Sequence, residues 1–205
     1  YFRQHSYYVY HPNSLCNSSS INFCVKSLKT IIVIPARYKS TRFQGKPLAK
    51  LLGKPMIQWV IELSVRAVGQ ENVFVATEDT EIFNTIAKAG YKAIMTSKDC
   101  LTGTDRLAEV AQKIEADIYV NVQGDEPLVK PLDIQKIIDA KKKYPNEVIN
   151  GYTIIGKYEN PNDNNIPKVI FTKDKRLIYI SRNALPGFKE KKNEPQIYYK
   201  QVCIY

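Results

Sequence analysis

From Thr30 onward, strand-like and helix-like segments alternate along this 205-residue chain, and no other feature constrains the fold as much. Apolar, often β-branched runs predict the strands, and apolar residues at helical spacing predict the helix that follows each strand. The predicted segments are Ile31–Pro35, Pro55–Val68, Asn72–Ala76, Thr80–Ala89, Tyr91–Met95, Thr104–Ile114, Asp117–Val122 and Leu132–Lys143. This order predicts an α/β fold with a Rossmann-like, mostly parallel sheet and helices on both faces.

After about Val148 the pattern changes to short β runs separated by polar loops. These runs are Val148–Ile155, Lys168–Thr172, Leu177–Ile180 and Gln201–Tyr205. They predict antiparallel strands that are added to the parallel sheet or cross over it. Residues 1–29 show neither a helical nor a strand period, so we expect an irregular N-terminal extension before one domain over residues 30–205.

Polar loops follow four of the predicted strands of the first half. These loops are Arg37–Lys46, Thr77–Asp79, Thr102–Arg106 and Gln123–Pro127. Open parallel sheets bind their ligands beyond the carboxyl ends of the strands. The sequence therefore predicts a ligand site at this edge, built from several loops.

The first of these loops is rich in groups that bind phosphate. It offers the cations Arg37, Arg42 and Lys46, the hydroxyls of Ser40 and Thr41, and a flexible glycine at Gly45. Cations and hydroxyls of this kind favour a triphosphate. The loop is not a P-loop, because Ser40 stands where that motif needs glycine and Pro47 where it needs Ser or Thr. The alternative is a solvated basic turn.

The three other loops admit both a functional and a structural interpretation. Asp125, beside Gly124 at the end of a predicted strand, is a candidate ligand of Mg²⁺, and the alternative is a turn capped by its own aspartate. Thr102 and Asp105 have the spacing of a helix N-cap, although a helix N-terminus also suits an anion or a base edge. For Thr77 and Asp79, capping of the following helix is favoured over contact with a ligand.

Composition narrows the class of protein. The net charge is +10, and residues 166–205 supply +6 of it through nine Lys or Arg against three Asp or Glu. Acidic residues interrupt the basic ones there, which argues against nucleic-acid binding and suits anionic small substrates.

The four cysteines form no metal or disulfide pattern, and no apolar run approaches a membrane span. We therefore predict a cytoplasmic protein without a membrane partner.

Taken together, the motifs resemble the CMP-ulosonate cytidylyltransferases, most closely the 3-deoxy-manno-octulosonate (Kdo) cytidylyltransferase, or CMP-Kdo synthetase, family. The matching stretches are Ile34–Leu48, Gly53–Met56, Val75–Thr77, Thr102–Val110, Asn121–Pro127 and Tyr179–Arg182. The resemblance implies the nucleotide-diphospho-sugar transferase fold. It also implies transfer of CMP from CTP to an acidic sugar, with release of pyrophosphate, for the lipopolysaccharide of a bacterial envelope.

By position, the resemblance also implies roles for individual residues. The residues that would hold CTP are Ala36, Arg37, Ser40, Thr41, Arg42 and Lys46, with Thr77, Thr104 and Arg106 near the cytosine or ribose. Those that would face the sugar are Gln123, Arg182, Gln201 and Tyr205. Asp125 would bind Mg²⁺, and the catalytic residues would be Arg37, Lys46 and Asp125.

Two departures from the family pattern leave alternatives open. The family usually has histidine at the position of Gln201, so the sugar is expected to be Kdo or a relative. The chain ends at Tyr205 without the family's second acidic metal ligand or the helices that contribute to its dimer. We therefore expect a C-terminally truncated chain whose full-length form is a homodimer. The rival interpretation is an inactive nucleotide-binding fragment.

Overall fold

The computed structural model of the chain describes residues 7–9, 28–39 and 43–205. The chain divides into two compact units. The parallel unit contains the described residues of Val25–Ile138 together with Ile204. The antiparallel unit contains the described residues of Tyr1–Cys24 and Asp139–Cys203 together with Tyr205.

The secondary structure follows the predicted order. The strands are β1 (Tyr7–Val9), β2 (Thr30–Ala36), β3 (Lys50–Leu51), β4 (Lys54–Pro55), β5 (Val73–Thr77), β6 (Lys92–Met95), β7 (Ile118–Asn121), β8 (Asn150–Ile154), β9 (Lys168–Phe171), β10 (Leu177–Ser181) and β11 (Tyr199–Val202). The helices are α1 (Met56–Val68), α2 (Thr80–Lys88), α3 (Gly103–Lys113) and α4 (Pro131–Lys143). Every strand and helix predicted from Ile31 onward is confirmed to within a few residues.

A four-stranded sheet in the order β6-β5-β2-β7 forms the centre of the parallel unit. All three strand pairs are parallel, with Ile34 opposite Val75 and Val33 opposite Asn121. The central strand β2 is buried from Ile31 to Ala36. Helices flank the sheet, which explains why this strand is a continuous apolar run rather than an alternating one. The α/β fold class is confirmed.

The helices of the parallel unit begin where the sequence supplies a start signal. Asp79 caps α2 by accepting hydrogen bonds from the backbone N–H groups of Glu81 and Ile82. Thr102 and Asp105 form a capping box at the start of α3. Val110 of α3 packs against Ile31 of β2 in the core. These caps leave the N-termini of α2 and α3 at the sheet edge where β5 and β6 end.

The antiparallel unit has a five-stranded sheet in the order β1-β8-β11-β9-β10. The four β runs of the second half are strands of this sheet, and each neighbouring pair is antiparallel. They were expected to join or cross the parallel sheet; they form a sheet of their own, and Ile204 of the last run makes a single antiparallel bridge to Val122 after β7. Its core is aromatic, with Phe171 and Tyr199 around the buried Tyr152.

One strand lies within the segment that was expected to be irregular. Residues Tyr7–Val9 pair with Asn150–Tyr152 of β8 in antiparallel register. The prediction for the rest of residues 1–27 falls outside the described residues.

None of the helices in the described part of the chain combines the length and the apolar character that crossing a bilayer requires.

Candidate functional site

A cavity of about 310 Å³ lies at the carboxyl edge of the parallel sheet. Three segments form its walls: the end of β2 with the loop after it, the loop after β7, and the approach to α3. The lining residues are Pro35, Ala36, Arg37, Phe43, Lys46, Pro47, Cys100, Leu101, Thr102, Gly103, Arg106, Gln123, Gly124 and Asp125. The strands that end at this edge thus bring together loops that are far apart in sequence.

Gly124 brings the loop after β7 close to the end of β2. A Cβ atom on Gly124 would lie 3.2 Å from the backbone oxygen of Pro35 and 3.5 Å from Ile34 Cγ2. The first distance is tighter than ordinary contact, so a larger residue would push the two walls apart. Glycine is therefore required here for close packing of backbone on backbone.

Lys46 and Asp125 form an ion pair in the wall of the cavity. Their Nζ and Oδ2 atoms are 2.6 Å apart, and the two side chains are 37% and 48% exposed. An ion pair this exposed contributes at most about 1 kcal/mol to stability. A charged ligand can therefore exchange with either partner at little cost.

The position of Lys46 depends on the turn that precedes it. Gly45 has a left-handed backbone (φ 68°), and its N–H donates to the carbonyl of Tyr38 at 2.9 Å. This bond closes the loop after β2 and returns the chain to the cavity. Arg37, at the end of β2, is an exposed cation on the same cavity. The predicted residues Ser40, Thr41 and Arg42 lie outside the described residues.

The N-terminus of α3 supplies a second wall. The Thr102 hydroxyl accepts a hydrogen bond from the backbone N–H of Asp105, whose carboxylate accepts one from the N–H of Thr102. Hydrogen bonds from Thr102, its hydroxyl first and its N–H second, lower the pKa of Asp105. The capping interpretation of this motif is thus confirmed, and it leaves Thr102 and Gly103 on the cavity.

Three residues predicted to lie near the base or ribose have different surroundings. Arg106 lines the cavity and is only 3% exposed. Thr77 is buried at the end of β5, where its hydroxyl accepts from the N–H of Asp79. Thr104 is exposed on the first turn of α3. In the structure as described, Thr77 and Thr104 are not among the lining residues, and their roles stay predictions.

Gln123 is the one predicted sugar-facing residue of the parallel unit. It is half-buried, lines the cavity and donates from Nε2 to Asn121 Oδ1 at 3.1 Å. This bond fixes the amide plane, so that the orientation of Gln123 is set by β7 rather than by solvent. Its contact with a sugar stays a prediction.

The other predicted sugar-facing residues belong to the antiparallel unit. Arg182 donates from Nη1 to the carbonyls of Asn164 and Asn165, at 3.2 and 2.9 Å. Gln201 donates to Asn150 Oδ1 at 2.8 Å within the sheet. Tyr205, the last residue of the chain, is half-buried. These contacts do not test the predicted role of the three residues in binding the sugar, which stays a prediction.

Cys100, Leu101 and Phe43 line the cavity although sequence reasoning did not single them out. Burial, followed by the hydrogen bond and charge of Glu109, raises the pKa of the Cys100 thiol. A raised thiol pKa lowers the fraction of thiolate, which is the nucleophilic form of cysteine. No charge, motif or period in the sequence marks these residues as members of the site.

Asp125 is the carboxylate on the cavity that could hold a metal ion. Within the described ranges, no cluster of three or more His, Cys, Asp or Glu side chains could bind one. A single carboxylate nevertheless fits Mg²⁺, which is commonly bound by one or two carboxylates together with substrate phosphates and water. The donor set therefore suits a metal that arrives with a nucleotide.

Known proteins resemble this chain over most of its length. Residues 31–205 match the family model described as "Cytidylyltransferase". The 3-deoxy-manno-octulosonate cytidylyltransferase of Escherichia coli is 41% identical over 86% of this chain and 71% of its own length. The corresponding protein of Trichlorobacter lovleyi is 45% identical over 80% of this chain and 66% of its own.

Two further matches extend the comparison to a second sugar and to a solved structure. The 8-amino-3,8-dideoxy-manno-octulosonate cytidylyltransferase of Shewanella frigidimarina is 36% identical over 87% of this chain and 74% of its own length. The structure of a CMP:2-keto-3-deoxy-manno-octonic acid synthetase complexed with CTP is similar with a TM-score of 0.74 and 38% identity. That match covers 86% of this chain and 72% of the other. The chain therefore belongs to the cytidylyltransferase family and is a nucleotidyltransferase.

Proposed function

We propose that this protein transfers CMP from CTP to Kdo or a closely related acidic sugar and releases pyrophosphate. The observation that supports this most is one cavity that contains Arg37, Lys46 and Asp125 in a cytidylyltransferase. Two cations suit the triphosphate, and one carboxylate suits its metal. The relatives' names supply the sugar: 3-deoxy-manno-octulosonate or its 8-amino derivative.

In this proposal the cations act on the phosphates. The sugar hydroxyl loses its proton to solvent and its oxygen bonds to the α-phosphorus. The bond between that phosphorus and the oxygen that bridges to the β-phosphate breaks, and pyrophosphate leaves with the negative charge that develops. Arg37 and Lys46 bind the phosphate oxygens and stabilise that charge, an effect that is typically the largest single contribution to such a reaction. Positioning of the two substrates contributes most of the remainder.

The proposed nucleotide site includes residues that line the cavity and residues of the loop that follows Arg37. Ala36 and Gly103 bring backbone to the cavity surface, and Arg37, Lys46 and Gln123 bring side chains. We propose that Ser40, Thr41 and Arg42 complete the phosphate contacts, since they lie between Arg37 and Lys46 in the sequence.

Asp125 is proposed to hold Mg²⁺ together with the nucleotide phosphates. The ion, when bound, would neutralise phosphate charge and orient the reacting groups. We propose that Lys46, which is paired with Asp125 Oδ2 in the structure, would leave that carboxylate when the metal is bound. Lys46 would then be available to the phosphates of the same nucleotide.

The decisive experiment measures pyrophosphate release and CMP-sugar formation by the purified chain with CTP, Mg²⁺ and either Kdo or the 8-amino sugar. We expect product with at least one of the two sugars and its loss in D125N. The matched control is D139N, because Asp139 is an exposed aspartate outside the cavity whose partner is Lys142 of the same helix. CTP binding without pyrophosphate release would instead support the inactive nucleotide-binding alternative.

We also propose a cytoplasmic location and a homodimer for the full-length protein. CTP is a cytoplasmic metabolite, and the absence of a disulfide or zinc pattern among the cysteines in the sequence fits a reducing compartment. Fractionation of cells and light scattering of the full-length protein test these two points.

A further inference from the structure

A buried ion pair joins α3 to the loop that follows β5. Arg106 Nη2 lies 2.5 Å from Glu78 Oε2, and the two side chains are 4% and 17% exposed. A buried guanidinium that loses its carboxylate is left uncompensated, which is far more costly than breaking a surface pair. The pair is therefore a rigid link, unlike the exposed pair between Lys46 and Asp125.

The second terminal nitrogen of Arg106 reaches the loop after β6. Its Nη1 donates to Thr96 Oγ1 at 2.6 Å and to the carbonyl of Ser97 at 3.3 Å. Thr96 in turn donates its backbone N–H to the carbonyl of Thr77 at 2.9 Å. One planar guanidinium thus ties together two loops and a helix, a task to which the fork geometry of arginine is suited.

The position of α3 is critical for the cavity because its first turn forms a wall. A Cβ atom on Gly103 would lie 3.0 Å from Pro35 Cγ and 3.2 Å from Gln123 Nε2. The helix therefore lies as close to the end of β2 as glycine allows. Arg106 is one turn further along, where its N–H approaches the Thr102 carbonyl at 3.4 Å. A shift of Arg106 would move this wall directly.

Two other residues of α3, Glu109 and Lys113, also contact the segment at the end of β6. Glu109 accepts from the backbone N–H of Ser97 at 2.8 Å, and Lys113 donates to the Met95 carbonyl at 2.8 Å. With Arg106 they form a stripe at helix positions i, i+3 and i+7 that holds the loop after β6. Of these three, Arg106 is the one that also binds the loop after β5, through Glu78.

We propose that Glu78 and Arg106 are positioning residues that hold the α3 wall in the geometry that binds the nucleotide. This inference rests on the proposed function, and it assigns a role to Glu78 that no motif suggested. Nη1 of Arg106 donates hydrogen bonds to protein and Nη2 is paired with Glu78, so Arg106 acts on the position of the wall in addition to the surface that it presents to the cavity. The buried pair sets the distance between the wall and the end of β2.

The test compares E78Q and R106K with the control E62Q. Glu62 is a matched residue because its Oε2 lies 2.6 Å from Lys54 Nζ, its side chain is 27% exposed, and it does not line the cavity. Three measurements are needed: the Kd of CTP by calorimetry, the split between KM for CTP and kcat, and amide hydrogen exchange of residues 97–106 without nucleotide. Circular dichroism verifies that each variant is folded.

We expect E78Q and R106K to weaken CTP binding by about tenfold, through KM rather than kcat, and to speed exchange in residues 97–106. R106K keeps the positive charge but should not restore CTP binding, because lysine lacks the two separated terminal nitrogens that reach Thr96 and Glu78. The double variant should lose little more than either single variant, since both break one link. E62Q should keep the CTP affinity and the exchange rates of the unmodified chain.

Unchanged CTP affinity in a folded E78Q would overturn the inference, as would a strictly additive double variant. If the unmodified chain fails to bind CTP, the proposed function fails, and the exchange measurement still decides the positioning role. If residues 97–106 exchange at the rates of the unmodified chain in both E78Q and R106K, the positioning role is rejected. If E78Q fails to fold, the exchange rates of residues 97–106 in R106K supply the comparison.

Discussion

The two units differ in how they use their polar side chains. In the parallel unit, residues from three separate loops meet in one cavity, and the Lys46–Asp125 pair there is half-exposed and open to a ligand. In the antiparallel unit, Arg182 and Gln201 bind neighbouring backbone and side-chain groups. Parallel strands all end at one edge, whereas antiparallel strands alternate in direction. The comparison shows that topology decides whether scattered polar residues converge.

The largest effect is expected for Lys46, the cation paired with Asp125. K46A should reduce turnover by about two or more orders of magnitude, comparable to the loss of one strong electrostatic donor. Pyrophosphate release under saturating CTP measures this. Lys50 supplies a control, since it is an exposed lysine on β3 that does not line the cavity. Turnover of K46A at the level of K50A would remove Lys46 from the mechanism.

A smaller and more selective effect is expected in the antiparallel unit. If Arg182 binds the sugar carboxylate, R182A should raise KM for the sugar by about tenfold, the value of a lost charged hydrogen bond, and leave KM for CTP unchanged. Steady-state kinetics with each substrate varied in turn measures this. The exposed Arg176 is the matched control. An equal rise in both KM values would contradict a role restricted to the sugar.

The two units also differ in how closely a glycine of each is packed. G124A should destabilise the protein by about 1–2 kcal/mol, because its Cβ would press on the Pro35 carbonyl. G187A should change stability by less than about 0.5 kcal/mol, since nothing lies within 4 Å of a Cβ at that position. Thermal unfolding of both variants tests this. Equal melting temperatures would show that the contact between the two cavity walls can relax.

The smallest effect concerns the response of α3 to pH. The hydrogen bond from Lys113, followed by that from the Ser97 N–H, lowers the pKa of Glu109 from 4.5 to about 2. A depressed carboxyl pKa stabilises the fold above pH 4.5, and this contribution disappears as the pH falls towards 2. The difference in melting temperature between the unmodified chain and E109Q should therefore shrink between pH 5 and pH 2.

A melting-temperature difference that stays constant over this range would contradict the cause assigned to the Glu109 shift. E159Q offers the counterpart in the antiparallel unit. There, burial raises the pKa of Glu159, but the hydrogen bonds from Lys200 and the Gly156 N–H outweigh it, so the pKa is lowered. The difference in melting temperature between the unmodified chain and E159Q should likewise shrink as the pH falls.

Local patterns accounted for most of the secondary structure. The apolar run at Ile31–Pro35 became the buried centre of the sheet, and Thr102 with Asp105 became a capping box, because both signals depend on neighbours in sequence. The three-residue strand Tyr7–Val9 escaped prediction, since a segment that short has no measurable period. Its pairing with β8 depends on residues more than 140 positions away.

Part of the candidate site could also be predicted from the sequence. Loops at the carboxyl ends of parallel strands must share an edge, so Arg37, Lys46 and Asp125 could be grouped from the sequence. Their placement on one cavity agrees with that grouping, and their catalytic roles stay predictions. Glu78 was not recognised, because its partner Arg106 is 28 residues away and no local pattern indicates the pair.

The sequence was sufficient to predict the order of strands and helices, the capped starts of α2 and α3, and the sheet edge where polar loops gather. These features follow from backbone propensity and from the burial of apolar residues close in sequence. Three features became visible in the folded chain alone: the later strands form a separate sheet, Lys46 pairs with Asp125, and Arg106 is buried against Glu78. Contacts of this kind depend on distances between elements, which packing fixes and sequence spacing does not.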